Sequence, residues 1–516
     1  MTVKRERALL AGARAALIQL LIVILINVPT VSFGLALGWV SLASGEAGAG
    51  GEEAGRGAVV AAVTTFTASL VGVPLSARAL LAGRKVALIS TSACFVICWS
   101  LKLASPWGGS WCIIVARIAA GLGGAAAWAL SPLLAREMCS ERYRGAAVSA
   151  LAVAHNFGLL LMYVAADVAL SHRTVLWLCF GLAVAHCVVF AFVPESPSFL
   201  AANGKSKEAR ASLAWFRGRS QQDPALEAEL AALPPPEDDQ SSWSLAKEML
   251  SDPQRRRAFV IGAVAVIGQE ACGVLAILQY AERVFVLARD GADSEAIYTD
   301  NQEKNTTILA EMMGSVSYDS VKTAELVTPA RHAVLLGAVQ LVMSMLSLYL
   351  VEQVGRRPLI VWCATVTGAA LAVAAWLVHN TTGAAVAIAV AIAADSAGLQ
   401  PAPYALLADM FHYQYRSCAL MLVTAGACAG NAIEVALFPA AVAAGGLRAA
   451  LALGACLTLA YAIFAFTVVP ETRGKTPEQI YDTICPILEG VSGECERGVS
   501  DTVISDCGTN SESKKR

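Results

Sequence analysis

The chain has 516 residues, of which 56% are hydrophobic and 15% charged, with a formal net charge of −2. A soluble chain of this length is nearer half apolar and a quarter charged, so an ordinary soluble globular protein is excluded. The apolar excess gathers in runs of about twenty residues, the length that crosses roughly 30 Å of hydrocarbon, and the chain reads as an all-α, multi-span membrane protein.

Lys4, Arg5 and Arg7 precede the first apolar run. That run, about residues 15–39, is too long for the core of a signal peptide and is expected to stay as the first helix. The same reasoning predicts twelve spans, at roughly 14–40, 57–77, 86–104, 111–132, 146–167, 174–193, 258–281, 332–351, 358–378, 384–407, 417–441 and 446–469. Lys and Arg near the span ends set orientation. Lys4, Arg5, Arg7, Arg78, Arg84, Lys85, Arg136, Arg142, Arg144, Arg255, Arg256, Arg257, Arg356, Arg357, Arg416, Arg473 and Lys475 fall on one side, against Arg56, Arg173 and Arg448 in the short loops of the other. The basic side is expected to be cytoplasmic, with both termini there, in the cell (plasma) membrane. Two glycosylation sequons, at Asn305 and Asn380, fall on the predicted outer side.

The expected organisation is a cytoplasmic N-terminus (1–13), an N-terminal six-helix bundle (14–193), a cytoplasmic linker (194–257), a C-terminal six-helix bundle (258–469) carrying an outer loop (282–331), and a cytoplasmic tail (470–516). Within the linker, Ser206 to Phe216 and Pro224 to Leu233 read as short amphipathic helices, and the run Pro234-Pro235-Pro236 breaks the pattern. The tail beyond Gln479 has a composition that favours disorder. Of the fourteen cysteines, Cys94, Cys98, Cys179, Cys187, Cys363 and Cys456 lie inside apolar runs and read as small buried hydrophobes. Cys485, Cys495 and Cys507 lie in the tail, and no spacing suits a metal.

The chain also repeats itself. Pro194-Glu195-Ser196 ends the sixth run, and Pro470-Glu471-Thr472 ends the last, 276 residues later. Gly83-Arg84-Lys85 recurs as Gly355-Arg356-Arg357, and Glu137 and Arg144 recur as Asp409 and Arg416, each at an offset of 272. A period this long means two large halves rather than a solenoid.

These motifs, in this order on twelve helices, resemble the sugar porter family of the major facilitator superfamily. The strongest elements are Pro194-Glu195-Ser196-Pro197 and Pro470-Glu471-Thr472-Arg473-Gly474-Lys475-Thr476, then the Gly-Arg turns and Glu137 through Arg144-Gly145. Asn156-Phe157-Gly158 is similar to the insect facilitated trehalose transporter branch. The resemblance implies two six-helix bundles facing each other across a central cavity, with substrate bound near the midplane and access alternating between sides.

Gly268-Gln269-Glu270-Ala271-Cys272-Gly273-Val274-Leu275, followed by Tyr280, is similar to the family's helix 7 signature. A sugar offers hydroxyls that both donate and accept, and amides match both roles. Gln269 fits, as a cavity residue or as an interhelical bond. Glu270 stands where a second Gln is expected, and Leu275 where an Asn is expected. Gln340, Asn156 and Asn431 match family positions near the cavity, with packing between helices as the alternative for each. Glu434 lies one turn from Asn431, and His155 adjoins Asn156. Gly398, Pro401 and Pro403 break helix 10 as a hinge or a static kink, and Tyr404 supplies the ring expected there. Arg117, in the fourth span, needs a partner; proton-coupled members of the resembled family often pair it with an Asp in the first span, which holds no acid here, and this favours facilitated diffusion. Glu270 and Asp395 keep proton coupling open.

In the family, the charges Arg84, Glu137, Arg144 and Glu195, with Arg356, Arg357, Asp409, Arg416 and Glu471, pair across helix ends and hold the inner side shut. Topology-setting charge is the alternative reading, and both can hold. Nothing points to an enzyme or a cofactor, and nucleic acid is not an expected partner. The expected partners are a small-molecule sugar and the lipid bilayer. The leading expectation is a facilitative carrier of trehalose or a hexose. A proton-coupled symporter and a non-transporting sugar sensor are the alternatives.

Overall fold

A backbone crossing hydrocarbon has nothing to hydrogen-bond except itself. The computed structural model, which describes residues 2–44, 52–168, 170–231, 233, 242–279, 329–378 and 380–484, answers with helices and no strand among the described residues. The N-terminal half is built from α1 (Thr2–Ser44), α2 (Glu52–Ala82), α3 (Arg84–Gly108), α4 (Ser110–Met138), α5 (Glu141–Asp167) and α6 (His172–Ala191). Four short helices follow: α7 (Pro197–Ala202), α8 (Ser206–Arg217), α9 (Ala225–Ala231) and α10 (Ser242–Ser251). The C-terminal half comprises α11 (Pro253–Glu270), α12 (Val274–Gln279), α13 (Pro329–Val354), α14 (Arg356–Trp376), α15 (Thr381–Ala394), α16 (Ala402–Asp409) and α17 (Tyr413–Val468), with α18 (Pro477–Ile484) after it.

Among the described residues, eleven helical stretches are long and apolar enough to span. The last, α17, has 56 residues. At 1.5 Å per residue that is about 84 Å, nearly three times a bilayer core. Gly445 (φ −145°) and Gly446 (φ 72°) break it, so 413–444 and 447–468 are separate crossings and the total among the described residues is twelve. Two differences from the sequence reading follow. The seventh span, expected as one helix, is split between α11 and α12. Helix α18 continues to Ile484, past the point where order was expected to end. Residues 282–328 of the outer loop, Asn305, Tyr280, Pro234–Asp239 and the three tail cysteines lie outside the described residues, as does the side chain of Arg144.

Within the N-terminal half, α1 packs on α5, and α4 on both α2 and α3. Between α1 and α5 the backbones nearly touch. A Cβ on Gly158 would lie 2.2 Å from the Val31 carbonyl oxygen, and one on Gly34 would lie 2.1 Å from that of His155. Such small-residue contacts drive association where lipid is as apolar as Leu. In the C-terminal half α14 packs on α15 and α17, and α11 on α17. The halves meet through α5 against α13 and α2 against α17.

The duplicated motifs turn out to be helix caps. Glu195 accepts the Lys85 backbone N–H at 3.1 and 3.2 Å and that of Ser196 at 2.8 Å. Glu471 accepts the N–H groups of Arg356 (3.2 Å), Arg357 (3.1 Å) and Arg473 (2.8 Å). Each carboxylate therefore sits on the N-terminal end of the third crossing of its half, α3 or α14, where unpaired N–H groups and the helix dipole favour an anion. The preceding glycines are needed for the close approach: a Cβ at Gly83 would lie 2.6 Å, and at Gly355 2.8 Å, from the capping carboxylate, and both residues have positive φ (133° and 98°). Glu471→Ala is expected to cost roughly 0.5–2 kcal/mol, the usual worth of a cap, and Glu471→Gln less, since it keeps an oxygen acceptor. Thermal unfolding of detergent-purified protein measures this. An alanine variant melting with the parent would exclude the capping role.

Candidate functional site

Two interrupted helices build the site. Helix α11 ends at Glu270, the chain turns through Ala271-Cys272-Gly273 with Gly273 at φ 82°, and α12 restarts at Val274. The restart is held from α17: Glu434 Oε1 accepts the Ala276 N–H at 2.9 Å. The second interruption follows α15. Pro401 and Pro403 have no N–H to give the carbonyls of Ala397 and Leu399, so the regular ladder fails there. The chain widens to a π-turn over Asp395–Leu399, with the Gln400 N–H reaching back to the Asp395 carbonyl at 2.9 Å. Gly398 lets this turn press on α14, since a Cβ would lie 2.5 Å from Leu359. Gln269 and Glu270 thus sit at one helix break, and Asp395 and Tyr404 flank the other.

Between the breaks lies a chamber with two adjoining lobes, of ≈ 60 and ≈ 70 Å³. Both lobes are lined by Leu37 and His155 from the N-terminal half and by Gln269, Glu270, Leu275 and Gln400 from the C-terminal half. The first lobe adds Tyr163, Gln340, Asp395 and Glu434. The second is aromatic, with Phe33, Phe66, Trp128 and Tyr404, and also carries Asn431 and Cys428. Trp128 stands 5.6 Å, ring centre to ring centre, from both His155 and Tyr404, and so joins the halves. Asn156 does not line a lobe. It donates to Gln400 Oε1 across the halves at 3.4 Å.

Buried polar atoms normally find partners. Around this chamber several have none among the described residues: Gln269 Oε1, Gln340 Oε1, Asp395 Oδ1, Asn431 Oδ1, Glu434 Oε2 and His155 Nδ1. Of the residues expected to touch substrate, Gln269, Glu270, Gln340, Tyr404 and Asn431 line the chamber, Asn156 stands behind it, and Tyr280 lies outside the described residues. The sequence reading missed Trp128 and did not single out Gln400. A visible cue existed for the first, a large ring set among Ala125, Ala126, Ala127 and Ala129 in a small-residue helix.

Arg117, in the fourth span, is buried. Its Nη1 donates to the Ala36 carbonyl at 3.4 Å and its guanidinium lies 5.3 Å from the centre of the Trp39 ring. Lys102, not anticipated, is buried beside it, with Nζ 4.2 Å from Trp39 and 4.3 Å from Trp99. Ring faces are the negative surface that desolvated cations find there.

Contacts bridge the halves on both sides of the chamber. At the basic end, Asp409 on α16 receives Arg356 at 3.0 Å, Thr472 at 3.3 Å and, from the N-terminal half, Arg136 at 3.5 Å. Arg84 pairs with Glu137 at 3.1 Å inside the N-terminal half, and Ser196 Oγ donates to Glu137 at 2.6 Å. Arg357 donates to the Phe466 carbonyl at 2.6 Å, and Arg416 to those of Ala408 (2.7 Å) and Phe411 (3.0 Å). The pair that crosses the halves therefore uses Arg136, which the sequence reading took only as an orientation signal. At the opposite end Tyr163 donates to the Leu278 carbonyl at 3.0 Å, and Arg331 pairs with Asp167 at 3.8 Å. Asn380, an exposed sequon residue, caps α15 by accepting the Gly383 N–H at 3.1 Å.

Comparison with known proteins agrees with this architecture. The profile of the family described as "Sugar (and other) transporter" matches residues 48–294 and 316–483. The chain is 26% identical over 386 residues to the probable metabolite transport protein CsbC of Bacillus subtilis (strain 168), covering 71% of this chain and 73% of that one. It is 24% identical over 459 residues to the high-affinity hexose transporter HXT6 of Saccharomyces cerevisiae, covering 82% and 72%. Its fold is similar to the inward-open xylose transporter XylE from E. coli, with a TM-score of 0.66 at 19% identity over 90% of this chain and 99% of that one. The chain belongs to the sugar (and other) transporter family of the major facilitator superfamily, and is a multi-pass membrane transporter rather than an enzyme.

Proposed function

We propose that the chain is a facilitative carrier that moves a monosaccharide-sized sugar across the cell membrane by alternating access, with both termini in the cytoplasm. The observation that carries this is the chamber itself: it is lined by both halves, bridged on both sides, and edged by polar atoms that lack protein partners. Gln269, Gln340 and Asn431 match sugar hydroxyls as donors and acceptors, while Trp128 and Tyr404 offer ring faces to the apolar side of a pyranose. The excess of Lys and Arg at the end carrying the Gly83 and Gly355 turns supports the orientation.

The two lobes, of ≈ 60 and ≈ 70 Å³, share six lining residues and form one small chamber, which favours a hexose over the larger trehalose. The trehalose-like motif Asn156-Phe157-Gly158 has structural duties here, one residue bonding Gln400 and another packing on Val31. The first span, residues 14–40, contains no Asp or Glu, which supports transport without a proton. Glu270 and Asp395 in the first lobe favour the second reading, a proton-coupled symporter.

Alternating access needs the basic-end contacts to break. Arg136–Asp409 is the cross-half pair and is partly exposed, so it is worth up to about 1 kcal/mol. Arg136→Ala is then expected to raise the population open at that end by roughly fivefold. The rate of Cys428 alkylation by a small maleimide, followed by peptide mapping, reads it. An unchanged rate removes the gating role.

For transport, tracer exchange of glucose or xylose in proteoliposomes is expected without a pH gradient. Gln269→Ala should raise the half-saturating concentration about tenfold to a hundredfold, as for a buried partner lost at roughly 1–3 kcal/mol. Exchange that requires a proton gradient would favour the symporter. Sugar binding without exchange would leave the sensor.

A further inference from the structure

The first lobe gathers oxygen acceptors and nothing cationic. Asp395 Oδ1, Glu434 Oε2, Gln269 Oε1 and Gln340 Oε1 line it, and each lacks a hydrogen-bond partner among the described residues. Gln269 is only 8% exposed and Gln340 3%, so bulk water does not satisfy them. Glu270 borders the same space and takes a hydrogen bond from Asn431. No Lys or Arg lines either lobe among the described residues, and the other titratable side chains facing the chamber are His155, Tyr163, Tyr404 and Cys428. Two buried cations, Lys102 and Arg117, lie in the other half against Trp39 and Trp99, and a third, Arg356, is paired with Asp409 at the basic end.

A neutral sugar can donate its hydroxyl hydrogens to these oxygens but supplies no counter-charge to the carboxylates. Each hydroxyl brings one hydrogen, and an ionised carboxylate only accepts. A buried carboxylate without a counter-charge is strongly disfavoured. An ammonium group answers both demands, with three donors and a positive charge, and charge-assisted hydrogen bonds are the strong ones. The amide oxygens could turn away, but the carboxylates accept in either orientation.

We propose that the cargo carries a protonated amine on a sugar-sized polyol, with the ammonium held among Glu270, Asp395 and Gln340 and the ring carried against Trp128 and Tyr404. This rests on reading the chain as a sugar carrier, and it names the substrate class within that reading. Glu434 has one oxygen committed to the Ala276 N–H, so it takes a supporting position with the other.

The test uses the full chain in proteoliposomes at a pH below the amine's pKa, with glucosamine, glucose and N-acetylglucosamine competing for exchange. Glucosamine is expected to half-inhibit at a concentration at least about tenfold lower than glucose, as a charge-assisted bond implies. N-acetylglucosamine, with the same ring and no charge, should fall with glucose. Glu270→Gln and Asp395→Asn should each erase or reverse the glucosamine preference. Equal potency of glucosamine and glucose overturns the proposal while leaving sugar transport standing. Glucose exchange that alkalinises a weakly buffered medium, without glucosamine preference, also overturns it and assigns the acids to protons. If no sugar exchanges but ethanolamine does, the amine site stands and the sugar reading falls. A glucosamine preference retained in both variants overturns the site as assigned.

Discussion

The supply of hydrogen-bond partners to the backbone inside hydrocarbon governs this structure. Most crossings obey it by remaining helical from end to end. Two do not, and those two meet at the chamber. The chain tolerates Gly273 and the Pro401/Pro403 pair because the freed groups are answered locally, by Glu434 at the start of α12 and by the π-turn bond from Gln400 to Asp395. Irregular backbone is what brings Gln269, Glu270 and Asp395 to the end of a helix rather than along its side. Straightening either crossing would turn those side chains out of the chamber, so the cost of the breaks and the existence of the site are one matter.

The repeat, by contrast, does its work at the basic end. In each half a glutamate from the segment after the sixth crossing caps the third crossing of that half, through a glycine that cannot carry a Cβ. This closes each six-helix unit on itself, tying its last element back to its interior. The halves then depart from symmetry where they meet. Glu137 spends its oxygens within its own half, on Arg84 and Ser196, while its counterpart Asp409 is shared between Arg356 and Arg136. One longer carboxylate is saturated at home. The shorter one reaches the neighbour.

Much of this was legible in the sequence. Run length and charge placement predict twelve crossings because the bilayer imposes both, and the Gly-Arg and Pro-Glu echoes mark the two halves. Gln269, Glu270 and Tyr404 could be picked out because they stand at positions that resemble the family's signatures, and Gln340 and Asn431 because they match family positions and polar side chains in apolar runs face inward. What could not be read was who partners whom. Glu195 and Glu471 read as ion-pair partners but serve backbone N–H groups, since a carboxylate in a sequence does not announce whether its donor is a side chain or a helix end. Arg136 read as one basic residue among many, and only folding sets it against Asp409. The break in the seventh crossing rests on one glycine and on Glu434 in α17, 158 residues beyond the Ala276 N–H it accepts, and no local pattern carries that.

The distribution of buried charge makes a last point about the mechanism. The N-terminal half buries cations, Lys102 and Arg117, and answers them with indole rings. The C-terminal half sets Glu270, Asp395 and Glu434 at the chamber, while its own buried cation, Arg356, is spent on Asp409 at the basic end. Neutralising the two sets against each other would have been simple had they faced each other, but then the halves would be locked by desolvated ion pairs that are costly to separate. Keeping the cations against rings within one half leaves the chamber-facing joint to weaker bonds: Asn156 to Gln400, Tyr163 to the Leu278 carbonyl, and the packing of Trp128 on Tyr404. A carrier must part these halves and rejoin them at every cycle. Contacts of this strength can hold a closed state and still be given up, which a buried salt bridge at the same place could not do.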